Sequence, residues 1–175
     1  MTEADGEQQA RSRAGESPGP VYRSVEELLS AARAGLRRLE PDEAVAELAA
    51  GARLVDIRPA WQRAAEGEIP GALILERNHL EWRLDPSSAT RVPAAVPGQR
   101  WILACWEGYT SSLAASVLRS IGIDATDLAG GVRRWRAAGL PTQPGPTRVG
   151  QVVGEQPSVD TGDLAGPHVI DEAAH

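Results

Sequence analysis

The stretch 102–123, ILACWEGYTSSLAASVLRSIGI, contains the one cysteine of the chain. Cys105 ends an apolar run and is followed by Gly108, by the hydroxyls of Thr110, Ser111 and Ser112, which can donate or cap a helix, and by a helical pattern. That order reads as a buried strand, a loop CWEGYT and a helix start. A loop this short must curl, and Gly108 supplies a backbone with positive φ. The N–H groups of such a curl, together with the first free N–H groups of the helix, converge on one point and favour an anion there. If that point is the sulfur of Cys105, the thiolate is stabilised, and the thiolate is the nucleophilic form. The pattern predicts a seat for a reactive or persulfidated sulfur, built from Trp106, Glu107, Gly108, Tyr109, Thr110 and Ser111. Simple burial is the competing explanation, because free cysteine is among the most buried residue types. The glycine, the hydroxyls and the strand–helix junction weigh against it.

The other residues with chemical potential have plainer explanations. Asp56 and Arg58, at the end of a predicted strand, could orient a substrate or form an internal ion pair that supports the fold. Gly130 and Gly131 read as a tight strand-to-helix turn, and Trp135 as packing. In ERNHLEWRL (76–84), Trp82 could cover the mouth of the site or pack a short helix. His79 has no identifiable partner, and His168 and His175 lie near the C-terminus. No metal-ligand spacing forms, and no cofactor is implied.

These residues need elements to hold them. In SVEELLSAARAGLRRL, Ser24 with Glu27 is a capping-box signature, and Val25, Leu28, Leu29, Ala32 and Leu36 fall on one helical face. Pro41 stands early in a second helix and Gly51 just past its end. Strands and helices then alternate: strands are predicted over 54–57, 71–75, 100–104 and 123–128, and helices over 58–65, 78–84, 111–121 and 131–139. Such β–α alternation implies an α/β fold, with a central, mainly parallel sheet flanked by helices on both faces. Sites in these sheets form at the carboxyl ends of the strands. Cys105 directly follows the strand at 100–104.

The ends of the chain differ in composition. Residues 1–22 read as a disordered acidic tail, 23–38 as an N-terminal helix, 39–142 as the folded domain and 143–175 as a flexible acidic tail. Residues 1–20 and 143–175 carry net charges of −2 and −4, the whole of the formal −6, so the middle is neutral. No basic stripe is available for phosphate backbones, which excludes nucleic-acid partners. The polar first twenty residues do not read as a secretory leader, and no apolar membrane span is expected. With one cysteine no internal disulfide can form, so a reducing, cytoplasmic setting is expected.

Three ordered stretches resemble the single-domain rhodanese family: VDIRPAWQRAAEGEIPGA (55–72), with Asp56-x-Arg58 and a G-x-I-x-G-A turn; CWEGYTS (105–111); and LAGGVRRWRAAGLP (128–141). The resemblance spans about residues 39–142. It implies a rhodanese-like sulfurtransferase fold, with Cys105 as the persulfide-forming residue and the N–H groups of residues 106–111 as its cradle. The implied partners are a small sulfane-sulfur donor and a thiol or cyanide acceptor, or an acceptor borne by a protein. Thiosulfate-active members of that family carry cations at the two positions after the cysteine, where this chain has Trp106 and Glu107. A carboxylate facing a dianion costs energy, so poor use of thiosulfate is expected. Glu68, at the family's usual histidine position, reads as a variation on a turn.

Two other classes compete. A cysteine phosphatase loop C-x5-R would need arginine at position 111, which is Ser111. A non-catalytic binding or sulfur-relay module would use Trp106, Glu107 and Tyr109 to recognise a protein.

Overall fold

The computed structural model describes residues 19–147. Of the tails expected over 1–22 and 143–175, residues 1–18 and 148–175 lie outside the described residues. In chain order the elements are α1 (Val25–Ala34), α2 (Pro41–Ala49), β1 (Arg53–Asp56), α3 (Ala60–Glu66) and β2 (Leu73–Ile74). A 3-10 turn (Arg77–His79) then leads into α4 (Leu80–Leu84), followed by β3 (Trp101–Ala104), α5 (Thr110–Ser120), β4 (Ala125–Asp127) and α6 (Gly131–Ala137).

The strands form one parallel sheet in the order β2-β1-β3-β4. Side chains alternate across a strand, so β1 and β3 feed two cores at once. Val55, Trp101 and Leu103 pack with Leu80, Leu84, Ala115 and Leu118 on one face. Leu54, Ile102 and Ala104 pack with Leu39, Leu128, Val132 and Trp135 on the other. The α/β architecture with covered faces is as the alternation predicts.

Element limits shift for local reasons. The helix expected from residue 58 begins at Ala60, because Arg58 precedes Pro59 and the residue before a proline is pushed out of helical geometry. The Arg58 amide instead donates to Asp56 Oδ1 at 3.0 Å. The strand expected over 71–75 shrinks to Leu73–Ile74, the two residues in register with Val55 and Asp56 at the sheet edge. At the start of α1, Ser24 Oγ caps the Glu27 amide, while the Glu27 carboxylate takes the amide of Arg23, one residue before the cap. α1 packs against α5 through its second half: Ala32 is buried, whereas Val25 and Leu28 are exposed.

Two long-range links shape the site. Leu39 pairs with Leu128 just beyond β4, its amide donating to the Asp127 carbonyl at 3.0 Å. This brings Arg38 beside Asp127. At the other end of the domain, the chain expected to be free from residue 143 stays bound. Gln143 bridges Glu68 with two backbone bonds of 2.8 Å, and Thr147 bonds the Glu68 carboxylate. Among the described residues no helix is long and apolar enough to cross a membrane.

Candidate active site

Cys105 sits at the carboxyl end of β3, beside the end of β1, 8% exposed at the base of an open cleft. Its Sγ accepts the amide hydrogens of Gly108 at 3.2 Å and Ser111 at 3.4 Å, and lies 3.2 Å from Ser111 Oγ. Of the amides of residues 106–111 expected around the sulfur, those of Gly108 and Ser111 reach it, joined by the Ser111 hydroxyl.

The loop curls this way because its carbonyls are claimed elsewhere. The amides of Val132 and Arg133, at the start of α6, donate to the carbonyls of Cys105 (2.9 Å) and Trp106 (3.0 Å). Such an approach requires Gly131, with φ of +61°: a Cβ there would stand 2.3 Å from the Cys105 carbonyl oxygen. The Gly108 carbonyl accepts Ser112 Oγ (2.7 Å), Arg33 Nη2 (2.8 Å) and Arg38 Nη2 (3.1 Å). With φ at +80°, Gly108 also lies too close to Arg38 for a side chain of its own. Turning these carbonyls outward leaves the amides of 108 and 111 facing the sulfur. The turn expected at Gly130 and Gly131 is therefore part of the loop's mounting.

Below the loop lies Asp127, fully buried at the end of β4. Arg38 grips both of its oxygens, at 2.9 and 3.0 Å. Ser111 Oγ donates to Asp127 Oδ2 at 3.2 Å, and Ser112 Oγ lies 2.8 Å from the same oxygen, its one proton shared between this carboxylate and the Gly108 carbonyl. Arg33 adds a bond to Ser112 Oγ and sits 5.2 Å over the ring of Tyr109. The sequence does not single out Arg33, Arg38 or Asp127. An acid inside an otherwise buried strand is the one signal it offers, whereas the arginines sit among several in AARAGLRRL.

The cleft above Cys105 measures about 330 Å³, and Trp106, Glu107, Tyr109 and Thr110 line it, whereas Gly108 and Ser111 face the sulfur from the loop. Arg58 lines it too, but Asp56 lies behind, paired to Arg58 at 2.6 Å with both side chains fully buried. Further bonds to the Gly67 carbonyl and Glu66 hold the Arg58 guanidinium in place. The internal ion pair, among the two expected roles, matches that geometry. Trp82 does not cover the mouth: it is 61% exposed and outside the lining, and Arg77 from the same segment stands there instead, held by Glu81 at 2.8 Å. A larger depression of about 550 Å³ lies at the opposite end of the strands, where Arg100 is already paired with Glu47.

Two carboxylates differ from expectation. Glu68 is no turn variation. It is 1% exposed and bonded to Arg63 at 2.7 Å and to the Thr147 hydroxyl at 2.6 Å. Burial opposes its ionisation, but the Thr147 hydroxyl and amide and the Arg63 guanidinium outweigh that and hold its carboxyl below the usual range. Glu107 is not a lone charge at the mouth, because Arg133 pairs with it at 2.8 Å. Glu107→Gln would free the arginine. An exposed pair is worth about 0.2–1 kcal/mol, so kcat/KM for thiosulfate is expected to rise by at most about fivefold, less at high salt. Steady-state rates at two ionic strengths measure this, and an unchanged rate would show that Glu107 does not influence the approaching anion.

A Rhodopseudomonas palustris protein of unknown function, described as a possible tyrosine phosphatase, is 28% identical with a TM-score of 0.64, covering 73% of this chain and 100% of that one. A rhodanese-related protein of Thermoplasma volcanium is 19% identical over 60% of this chain and 95% of that one, with a TM-score of 0.49. A Pseudomonas aeruginosa thiosulfate sulfurtransferase is 25% identical over 83% of this chain and 24% of that one, at 0.47. No curated protein matches the chain. The family model of the rhodanese-like domain matches residues 40–138, more than half of the chain and the whole of the cleft, and the chain belongs to that family.

Proposed function

We propose that this protein is a sulfurtransferase that carries sulfane sulfur on Cys105. The observation that carries the reading is a cysteine sulfur held by two backbone amides and a hydroxyl at the base of an open cleft. The thiolate attacks the outer sulfur of a donor such as thiosulfate. The donor's S–S bond breaks, sulfite leaves with the electron pair, and Cys105 becomes a persulfide. A thiol or cyanide then attacks the terminal sulfur, taking it away and returning Cys105 as the thiolate. This two-step covalent route predicts ping-pong kinetics.

Phosphatase chemistry is less well supported. Ser111 occupies the position of the phosphate-clamping arginine, and the nearby Arg33 and Arg38 are turned onto the Gly108 carbonyl beneath the loop. Trp106 and the 55% exposed Tyr109 give the mouth an apolar rim, which suits an acceptor thiol borne by a protein. Dependence on a free thiol suits a reducing cytoplasm.

The test is intact mass measurement after exposure to thiosulfate, a low-molecular-weight persulfide and a polysulfide. Wild type is expected to gain the mass of one sulfur atom and Cys105→Ser none. Equal gain in both, or none in wild type with any donor, would refute the reading.

A further inference from the structure

The hydroxyl of Ser111 stands between two acceptors. It donates to Asp127 Oδ2 at 3.2 Å and lies 3.2 Å from the sulfur of Cys105. A hydroxyl has one proton to give, so carboxylate and sulfur compete for it. Asp127 is fully buried, and the Ser111 hydroxyl bridges it to the sulfur. Left uncompensated, its charge would retain the Ser111 proton and oppose negative charge on the sulfur, strongly in a poorly screened interior. Arg38 counters both effects, because its fork covers both carboxylate oxygens. The same Nη2 reaches the carbonyl of Gly108, whose amide faces the sulfur.

We propose that Arg38 is a positioning residue for Cys105: by neutralising Asp127 it releases the Ser111 hydroxyl to the sulfur, while it shares with Arg33 and Ser112 the hold on the Gly108 carbonyl. The connector after α1 thus becomes a working part of the sulfur site. The other charges around the loop and cleft are already engaged, Arg33 by Ser112 and the Gly108 carbonyl, Arg58 by Asp56, Arg77 by Glu81 and Glu107 by Arg133, and they stay constant among the variants that test the idea. The proposal rests on Cys105 being the sulfur carrier. Its readout, the alkylation rate of the cysteine, is nevertheless independent of any sulfur donor. A wild type that takes no sulfur would refute the transferase reading alone.

The experiment measures iodoacetamide alkylation of the full chain at neutral pH. Arg38→Gln is expected to slow it about tenfold, the effect of exposing one buried charge near the sulfur. Arg38→Gln combined with Asp127→Asn should recover to within about threefold of wild type, since the charge needing compensation is gone. Arg38→Lys should fall between, because an ammonium cannot fork across both oxygens. An arginine acting only as structural support would leave the double variant at least as slow as the single one. Wild-type speed in Arg38→Gln, or no recovery in the double variant, overturns the proposal. Should Arg38→Gln fail to fold by circular dichroism, Asp127→Asn alone decides. With Arg38 retained it should alkylate faster than wild type, and an equal or slower rate overturns the proposal.

Discussion

Gly131→Ala is expected to lower stability by about 3 kcal/mol and to slow alkylation of Cys105 at least tenfold. Two effects combine. A left-handed conformation costs a residue with a Cβ about 1–2 kcal/mol on its own. The new methyl would also sit 2.3 Å from the Cys105 carbonyl oxygen and 2.4 Å from that of Trp106. One of the two must move, and either movement weakens the bonds from Val132 and Arg133 that hold the loop carbonyls outward. The Gly108 and Ser111 amides then lose their aim. Gly139→Ala is the control: its φ is +72° but no atom lies within 4 Å of the place a methyl would take, so only the conformational cost of about 1 kcal/mol applies. Urea midpoints and alkylation rates measure both variants. Equal behaviour of the two would mean that the close approach of α6 does not set the loop.

Glu68→Ala is expected to cost about 3–5 kcal/mol at neutral pH, because it leaves the buried Arg63 without its counter-charge. Arg63 also donates to the carbonyls of Arg58 (2.6 Å) and Thr147 (3.0 Å), so the loss spreads to the support of the cleft and to the chain after Gln143. The pH dependence follows from the lowered carboxyl of Glu68. Its contribution is complete above the ordinary glutamate value of 4.5 and is lost as pH falls through the lower value it has in the folded protein. Wild type should therefore lose stability steeply below about pH 4.5, while Glu68→Gln, less stable at neutral pH, should show a shallower decline there. Parallel curves for the two proteins would show that Glu68 ionisation does not support the fold. A chain ending at Thr142, which lacks Thr147, should fall between wild type and Glu68→Ala.

What local chemistry dictates is legible in the sequence itself. The strand–CWEGYT–helix passage, the glycine pair at Gly130 and Gly131 and the β–α alternation depend on neighbouring residues. Sterics, apolar periodicity and the backbone freedom of glycine fix them whatever the rest of the chain does. Hence the sheet, its carboxyl-end site and the position of Cys105 above it follow from residues alone. Charge pairing does not. Arg38 and Asp127 are 89 positions apart and Glu68 and Thr147 are 79, and no periodic signal links them. Among many arginines of equal appearance, folding decides which one meets a buried carboxylate. For the same reason Glu107 proves to be tied to Arg133, and Arg77 rather than Trp82 comes to face the cleft. An exposed side chain such as Trp82, Val25 or Leu28 carries the same apolar label as a buried one, and only the packing of its helix decides which it becomes. The seat of the sulfur is thus written in a few adjacent residues, whereas the charges that hold it in tension are a property of the folded domain.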